Sequence, residues 1–194
     1  MNKKRIGLFF GSFNPVHVGH LALANYIVEN SYIEQIWFVV SPQNPFKEED
    51  ELANTTLRLQ MLEASVKGYP KFKICDIELN LPTPSYTYLT LKKLQATYPD
   101  FTFTIILGSD NLQQLHRWNN AQQIAANYSF MVYPRPGFKT EQKHLKIQLE
   151  TIEAPVFNID STTIRKGIRE GKNYTFMVPK EAYAYIVKKG MYKP

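Results

Sequence analysis

Short, nearly unbroken apolar runs alternate along this chain with longer segments of mixed polarity. Ile6–Phe10 is the first such run and predicts a buried strand; His17–Asn30, which follows it, predicts a helix. Glu34–Val40 holds Ile36-Trp37-Phe38-Val39-Val40, the pattern of a strand covered on both faces. Thr55–Val66 reads as a helix with Asn54 or Thr55 as its N-cap. Phe72–Ile77 reads as strand, Ser85–Ala96 as helix and Thr102–Leu107 as a further buried strand. Short helices are expected at Asn111–Leu115 and Asn119–Ala126, and a strand at Phe130–Tyr133, stopped by Pro134-Arg135-Pro136-Gly137. Thr140–Lys146 reads as helix, Thr151–Ile159 as mostly strand and Asp160–Glu170 as helix closed by Gly171. Pro179–Lys189 reads as the last helix, with proline at its start and Gly190 past its end.

Strands alternating with helices predict an α/β fold: a Rossmann-like, doubly wound parallel sheet with a small helical C-terminal part. We expect a single domain over residues 1–194, with the helical elaboration running from about residue 160 to 194. In such folds the ligand crevice lies at the carboxyl ends of the strands. Polar residues out of keeping with their surroundings fall there. His17 and His20 follow the first strand, Asn44 and Lys47 the second, and Asp110 the fourth. Arg135 follows the fifth, and Ser161, Thr162 and Arg165 follow the last.

Composition narrows the class of protein. Hydrophobic residues make up 44% and charged residues 21%, ordinary for a globular chain, and no run approaches membrane-spanning length. Met1-Asn2-Lys3-Lys4-Arg5 is basic, but the apolar stretch after it ends at Gly11, too soon for a secretory segment. A cytoplasmic protein with no membrane partner is expected. The single cysteine, Cys75, allows no internal disulfide and no thiolate cluster, and is expected to be a packed strand residue. The net charge of +6 suits a phosphate-bearing partner. No long basic tract and no aromatic RNA-binding signature are present, so nucleic acid is not expected as that partner. Nothing here decides the oligomeric state, which leaves room for a homo-oligomer.

The chemistry concentrates in Gly11-Ser12-Phe13-Asn14-Pro15-Val16-His17-Val18-Gly19-His20. A strand turns sharply into a helix there, and the free N–H groups of a helix start attract anions. Two imidazoles three residues apart share that helix face. The loop lacks the Lys-Ser/Thr ending of a P-loop, and its glycines do not fit G-x-G-x-x-G. No carboxylate or further histidine stands at metal-ligand spacing from His17 and His20, so no protein metal site is predicted.

Gly11 to His20 matches the G-x-F-x-P-x-H-x-G-H signature of the nucleotidyltransferases, and Ser161-Thr162-Thr163-Ile164-Arg165 is similar to their second signature, S-T-x-x-R. Within that superfamily the chain resembles the bacterial nicotinate-nucleotide adenylyltransferases over nearly its whole length. Pro42-Gln43-Asn44-Pro45-Phe46-Lys47 stands in place of the family's P-P-H-K loop, and Arg58 and Met61 match the helix after it. Ser85-Tyr86-Thr87 with Thr90-Leu91, Gly108-Ser109-Asp110, Trp118 and Pro134-Arg135-Pro136-Gly137 match further landmarks. Asn14, Leu89 and Asp160 depart from the usual residues.

The resemblance implies transfer of AMP from ATP to nicotinate mononucleotide, giving deamido-NAD and pyrophosphate in NAD biosynthesis. The neighbouring alternative is an adenylyltransferase acting on nicotinamide mononucleotide or another phosphate-bearing acceptor. It further implies His17, His20 and Arg165 as catalytic residues. Gly11, Ser12, Phe13, Gly19, Gly108, Asp110, Ser161 and Thr162 would meet ATP. Asn44, Lys47, Tyr86, Thr87, Trp118 and Arg135 would meet the accepting nucleotide. Mg²⁺ would be held mainly through the ATP phosphates.

Overall fold

The computed structural model describes residues 3–43 and 52–193. Its strands are β1 (Lys4–Gly11), β2 (Gln35–Val40), β3 (Phe72–Cys75), β4 (Phe101–Gly108), β5 (Ser129–Tyr133) and β6 (Gln148–Thr151). They form one parallel sheet in the order β3-β2-β1-β4-β5-β6. The chain winds outward from β1 through β2 to β3, then returns to β4 on the other side of β1. That reversal makes a crevice beyond the carboxyl ends of β1 and β4. The helices are α1 (Val18–Asn30), α2 (Thr55–Val66), α3 (Thr87–Thr97), α4 (Ser109–Gln114), α5 (Ala121–Asn127), α6 (Ser161–Arg169) and α7 (Lys180–Lys189). Single 3₁₀ turns occupy Ile77–Asn80 and Leu115–Arg117.

The unbroken apolar runs have a simple cause: both sheet faces are covered. Phe9, Phe38, Ile106 and Met131 point to one face and pack with Ile27 of α1, Leu62 of α2, Ile164 of α6 and Ile186 of α7. Leu8, Trp37, Ile105 and Val132 point to the other and pack with Leu91 of α3, Leu112 of α4 and Ile124 of α5. Successive strand residues therefore alternate between two cores, not between core and solvent. Helix α7 also lies against α2, which ties the C-terminal helices to the first half of the sheet. Cys75 is buried at the end of β3, as expected, and burial pushes its thiol up to about 11.

Two expected elements are corrected. Thr140–Lys146 is not a helix, and the strand expected at Thr151–Ile159 lies earlier, at Gln148–Thr151. Leu145, Ile147 and Leu149 alternate toward the second core, a period of two that marks a strand approach. After Thr151 the chain leaves the sheet edge. Ile152 still donates to the Val132 carbonyl at 2.9 Å, but Ile152 and Ala154 now bury against the first core. Pro155, with no N–H, ends any further pairing.

Candidate active site

The turn joining β1 to α1 is pinned from below. Phe13 takes a left-handed backbone conformation, φ 46°, which turns its ring into the core against Phe9 and Phe38. The same ring meets His20 edge-on at 5.1 Å. His17 is the N-cap of α1, and its backbone N–H donates to His20 Nδ1 at 3.2 Å. The two imidazoles stack with centroids 3.6 Å apart. Because Nδ1 of His20 accepts that bond, its ring proton sits on Nε2. His20 lines the main cavity, whereas His17 and Gly19 face a small adjoining hollow. Burial lowers the His17 pKa to about 4; the Arg135 charge acts the same way and Asp160 opposes them. His17 is therefore a neutral ring near neutrality.

Helix α6 closes onto this turn. Ser161 Oγ donates to the Pro15 carbonyl at 2.9 Å, and Arg165 Nη1 donates to the Asn14 carbonyl at 3.1 Å. Residues about 150 positions apart in sequence thus form one wall, and Ser161, Thr162 and Arg165 all line the cavity. Asp160 caps α6. It accepts from the Thr163 N–H and from Thr163 Oγ1, both at 2.8 Å. Those bonds hold its carboxyl below the usual range despite partial burial, which acts to raise it.

Across the crevice, Gly108 ends β4. A Cβ there would lie 2.3 Å from Asp110 Oδ1, so only glycine lets Asp110 turn back over the strand end. Arg135 Nε stands 4.0 Å from that same oxygen. The Arg135 N–H donates to Ser109 Oγ at 2.9 Å, and the Phe138 N–H closes a Pro136-Gly137 turn onto the Arg135 carbonyl at 3.1 Å. Tyr86 and Thr87 begin α3, whose N-cap, Tyr86, makes no side-chain cap. Half-buried Trp118 and exposed Arg117 line the same side. Asn44 and Lys47 lie outside the described residues. Together these walls enclose about 870 Å³, within the roughly 300–1,000 Å³ usual for ligand sites. Among the described residues, Arg117, Arg135 and Arg165 face it against the single carboxylate Asp110, a balance that favours a polyanion.

Comparison with known proteins bears on what such a cavity serves. A family profile described as Cytidylyltransferase-like matches residues 8–167. A Bacteroides fragilis (strain YCH46) protein named "Probable nicotinate-nucleotide adenylyltransferase" is 41% identical over 188 residues, covering 97% of this chain and 94% of its own. A Flavobacterium johnsoniae protein of the same name is 44% identical over 191 residues, covering 97% and 99%. This chain belongs to the nicotinate-nucleotide adenylyltransferase family. The fold agrees: a Plasmodium falciparum nicotinic acid mononucleotide adenylyltransferase solved with NaAD superposes with a TM-score of 0.83, at 22% identity, over 97% of each chain.

In this nicotinate-nucleotide adenylyltransferase family member, two buried residues outside the predicted site shape it. Arg58 lies in α2, fully buried, and among the described residues makes five hydrogen bonds, none of them to a carboxylate. Nε donates to the Ala53 carbonyl (2.9 Å), Nη1 to those of Ser12 (2.7 Å) and Ser41 (2.8 Å), and Nη2 to Pro42 O and Thr55 Oγ1 (both 2.9 Å). One guanidinium thus joins the turn after β1 to the end of β2 and the start of α2. Glu78, in the 3₁₀ turn, accepts from Ser41 Oγ and from Thr90 Oγ1, both at 2.7 Å, and burial raises its pKa. It fixes α3, and with it Tyr86 and Thr87, against the end of β2. Arg58 was visible in the sequence only as a family landmark, and no local signal marked Glu78.

Proposed function

We propose that this chain transfers the AMP group of ATP to nicotinate mononucleotide, releasing pyrophosphate and forming deamido-NAD. The observation that carries the reading is the junction of the two signature segments, Ser161 on Pro15 and Arg165 on Asn14, along one wall of the cavity. ATP's triphosphate would lie along that wall. His20 Nε2–H, the first N–H groups of α6 and the Arg165 guanidinium would hold its oxygens. Ser12 Oγ is buried on the cavity wall with no hydrogen-bond partner among the described residues, and a phosphate oxygen would supply one. His17 would orient His20 by stacking and would add no charge. Asp110 would accept a hydrogen bond from a ribose hydroxyl.

The acceptor's own phosphate is the nucleophile. Its second pKa is about 6, so it is largely ionised near neutrality and needs no protein base. The phosphate oxygen forms a bond to the α-phosphorus as the bond to the pyrophosphate oxygen breaks. The protein's part is to align two anions and offset charge on the leaving group. At the acceptor end the uncapped start of α3 at Tyr86 and Thr87 would receive the nicotinate carboxylate, Trp118 would stack on the pyridine ring, and Arg135 would offset charge. Asn44 and Lys47 are proposed for the same end.

Among the described residues, no group of three or more His, Cys, Asp or Glu side chains could hold a metal ion. Asp110, the single carboxylate among the described residues lining the cavity, stands beside Arg135 and fits Mg²⁺ held chiefly by phosphate oxygens. When bound, the ion neutralises charge on those oxygens. No helix among the described residues is long and apolar enough to cross a membrane, and we place the enzyme in the cytoplasm.

Pyrophosphate release with ATP and either nicotinate or nicotinamide mononucleotide tests the assignment. The acid should be used with a kcat/KM higher by about tenfold or more, because the amide brings no charge to the start of α3. A preference for the amide overturns the acceptor, and no release with either overturns the reaction.

A further inference from the structure

The last residues of the chain return to the first signature segment. Helix α7 ends at Gly190, in the left-handed conformation (φ 60°), and the Met191 N–H bonds back to the Ile186 carbonyl at 3.0 Å. Met191 is buried in the first core, so the turn is anchored and does not fray. Tyr192, itself left-handed at φ 61°, then directs its hydroxyl inward, and this donates to Asn14 Oδ1 at 2.8 Å. The same oxygen accepts from the Ala53 N–H at 3.2 Å. Two donors on one oxygen fix the orientation of the Asn14 amide. The Asn14 carbonyl meanwhile receives Arg165. Asn14 lines the cavity between Phe13 and Pro15, yet only 2% of it is exposed. Its side chain is thus turned to structure while its backbone serves the site.

We infer that Tyr192 is a positioning residue for the transfer reaction, locking the phosphate-facing turn through Asn14 so that Arg165 and His20 meet the triphosphate in register. Burial holds the phenol above its ordinary range, so the hydroxyl remains a donor at all working pH values. Among the described residues α6 lines the main cavity but none from 167 to 191 does; that later stretch reaches the signature segment through Tyr192 on Asn14 and through the Met177 carbonyl, which accepts from the Val18 N–H at 3.0 Å. The inference rests on the proposed reaction.

Tyr192→Phe keeps the ring and removes only the hydroxyl. The test is steady-state kinetics of wild type, Tyr192→Phe, Asn14→Ala and the double variant. A smaller folded fraction would lower kcat and leave both KM values alone, so the ATP KM is the discriminating readout. We expect Tyr192→Phe to raise the KM for ATP about fivefold and to lower kcat about tenfold, with the nicotinate mononucleotide KM within about twofold. In the double variant the two losses should not multiply, because both remove one interaction. An unchanged ATP KM, or losses that multiply, overturns the inference. Wild-type turnover in the same assay tests the underlying reaction separately.

Discussion

His17 makes the folded state sensitive to mild acid. In the fold its imidazole is buried, 4% exposed, and its pKa falls to about 4 from the ordinary 6.5. Unfolding returns the ring to water, where it takes up a proton below about pH 6.5. A lowered folded-state pKa adds stability that is complete above the unfolded pKa and is lost as pH falls toward the folded one. The window is therefore pH 6.5 down to about 4. At about pH 5 the unfolded ring is almost fully protonated and the folded one is not, which removes about 2 kcal/mol relative to about pH 8. Urea unfolding at both pH values, for wild type and His17→Gln, measures it. Exposed His116 and His144 and the carboxylates apart from Asp160, which acts on His17, stay unchanged in both proteins, so their contribution cancels in the difference. Wild type should lose about 2 kcal/mol more than the variant between about pH 8 and about pH 5. Equal losses would refute the claim that burial holds His17 neutral.

Three other substitutions probe the site. His20→Ala should lower kcat by about a hundredfold or more, since a donor to developing charge is lost, and shift Tm by only a few degrees; near-normal turnover would take His20 out of the mechanism. Gly108→Ala should raise the Kd for ATP about tenfold, because its Cβ would meet Asp110 Oδ1 and push that carboxylate aside; calorimetric titration with ATP reads this directly, and an unchanged Kd would take Asp110 out of ATP binding. Arg58→Met should cost about 3 kcal/mol or more in urea unfolding, since it leaves the carbonyls of Ser12, Ser41, Pro42 and Ala53 without their donor.

Much of this architecture was legible in one dimension because both sheet faces are buried. Ile36–Val40 could hardly be anything but an interior strand, and the strand–turn–helix around Gly11–His20 placed the crevice. Asn54 does cap α2, accepting from the Thr56 N–H at 2.8 Å, and Gly190 closes α7 as its position suggested. Edge strand β6 was misplaced because its exposed positions, Gln148 and Glu150, dilute the apolar signal to one residue in two. What periodicity could not carry were polar contacts made across the fold. Ser41 meets Glu78 from 37 residues away, Ser12 meets Arg58 from 46, and Asn14 meets Tyr192 from 178. Each is an unremarkable residue until folding supplies its partner. The neutrality of His17 is of the same kind, a property of its burial and not of its spacing from His20.

A crystal structure with a non-hydrolysable ATP analogue bears most directly on the central claim. The β- and γ-phosphates should lie against His20 Nε2, the N–H groups of Ser161 and Thr162 and the Arg165 guanidinium, with the α-phosphorus open toward Tyr86 and Trp118. A triphosphate bound away from the junction of α6 with the β1–α1 turn would contradict the account.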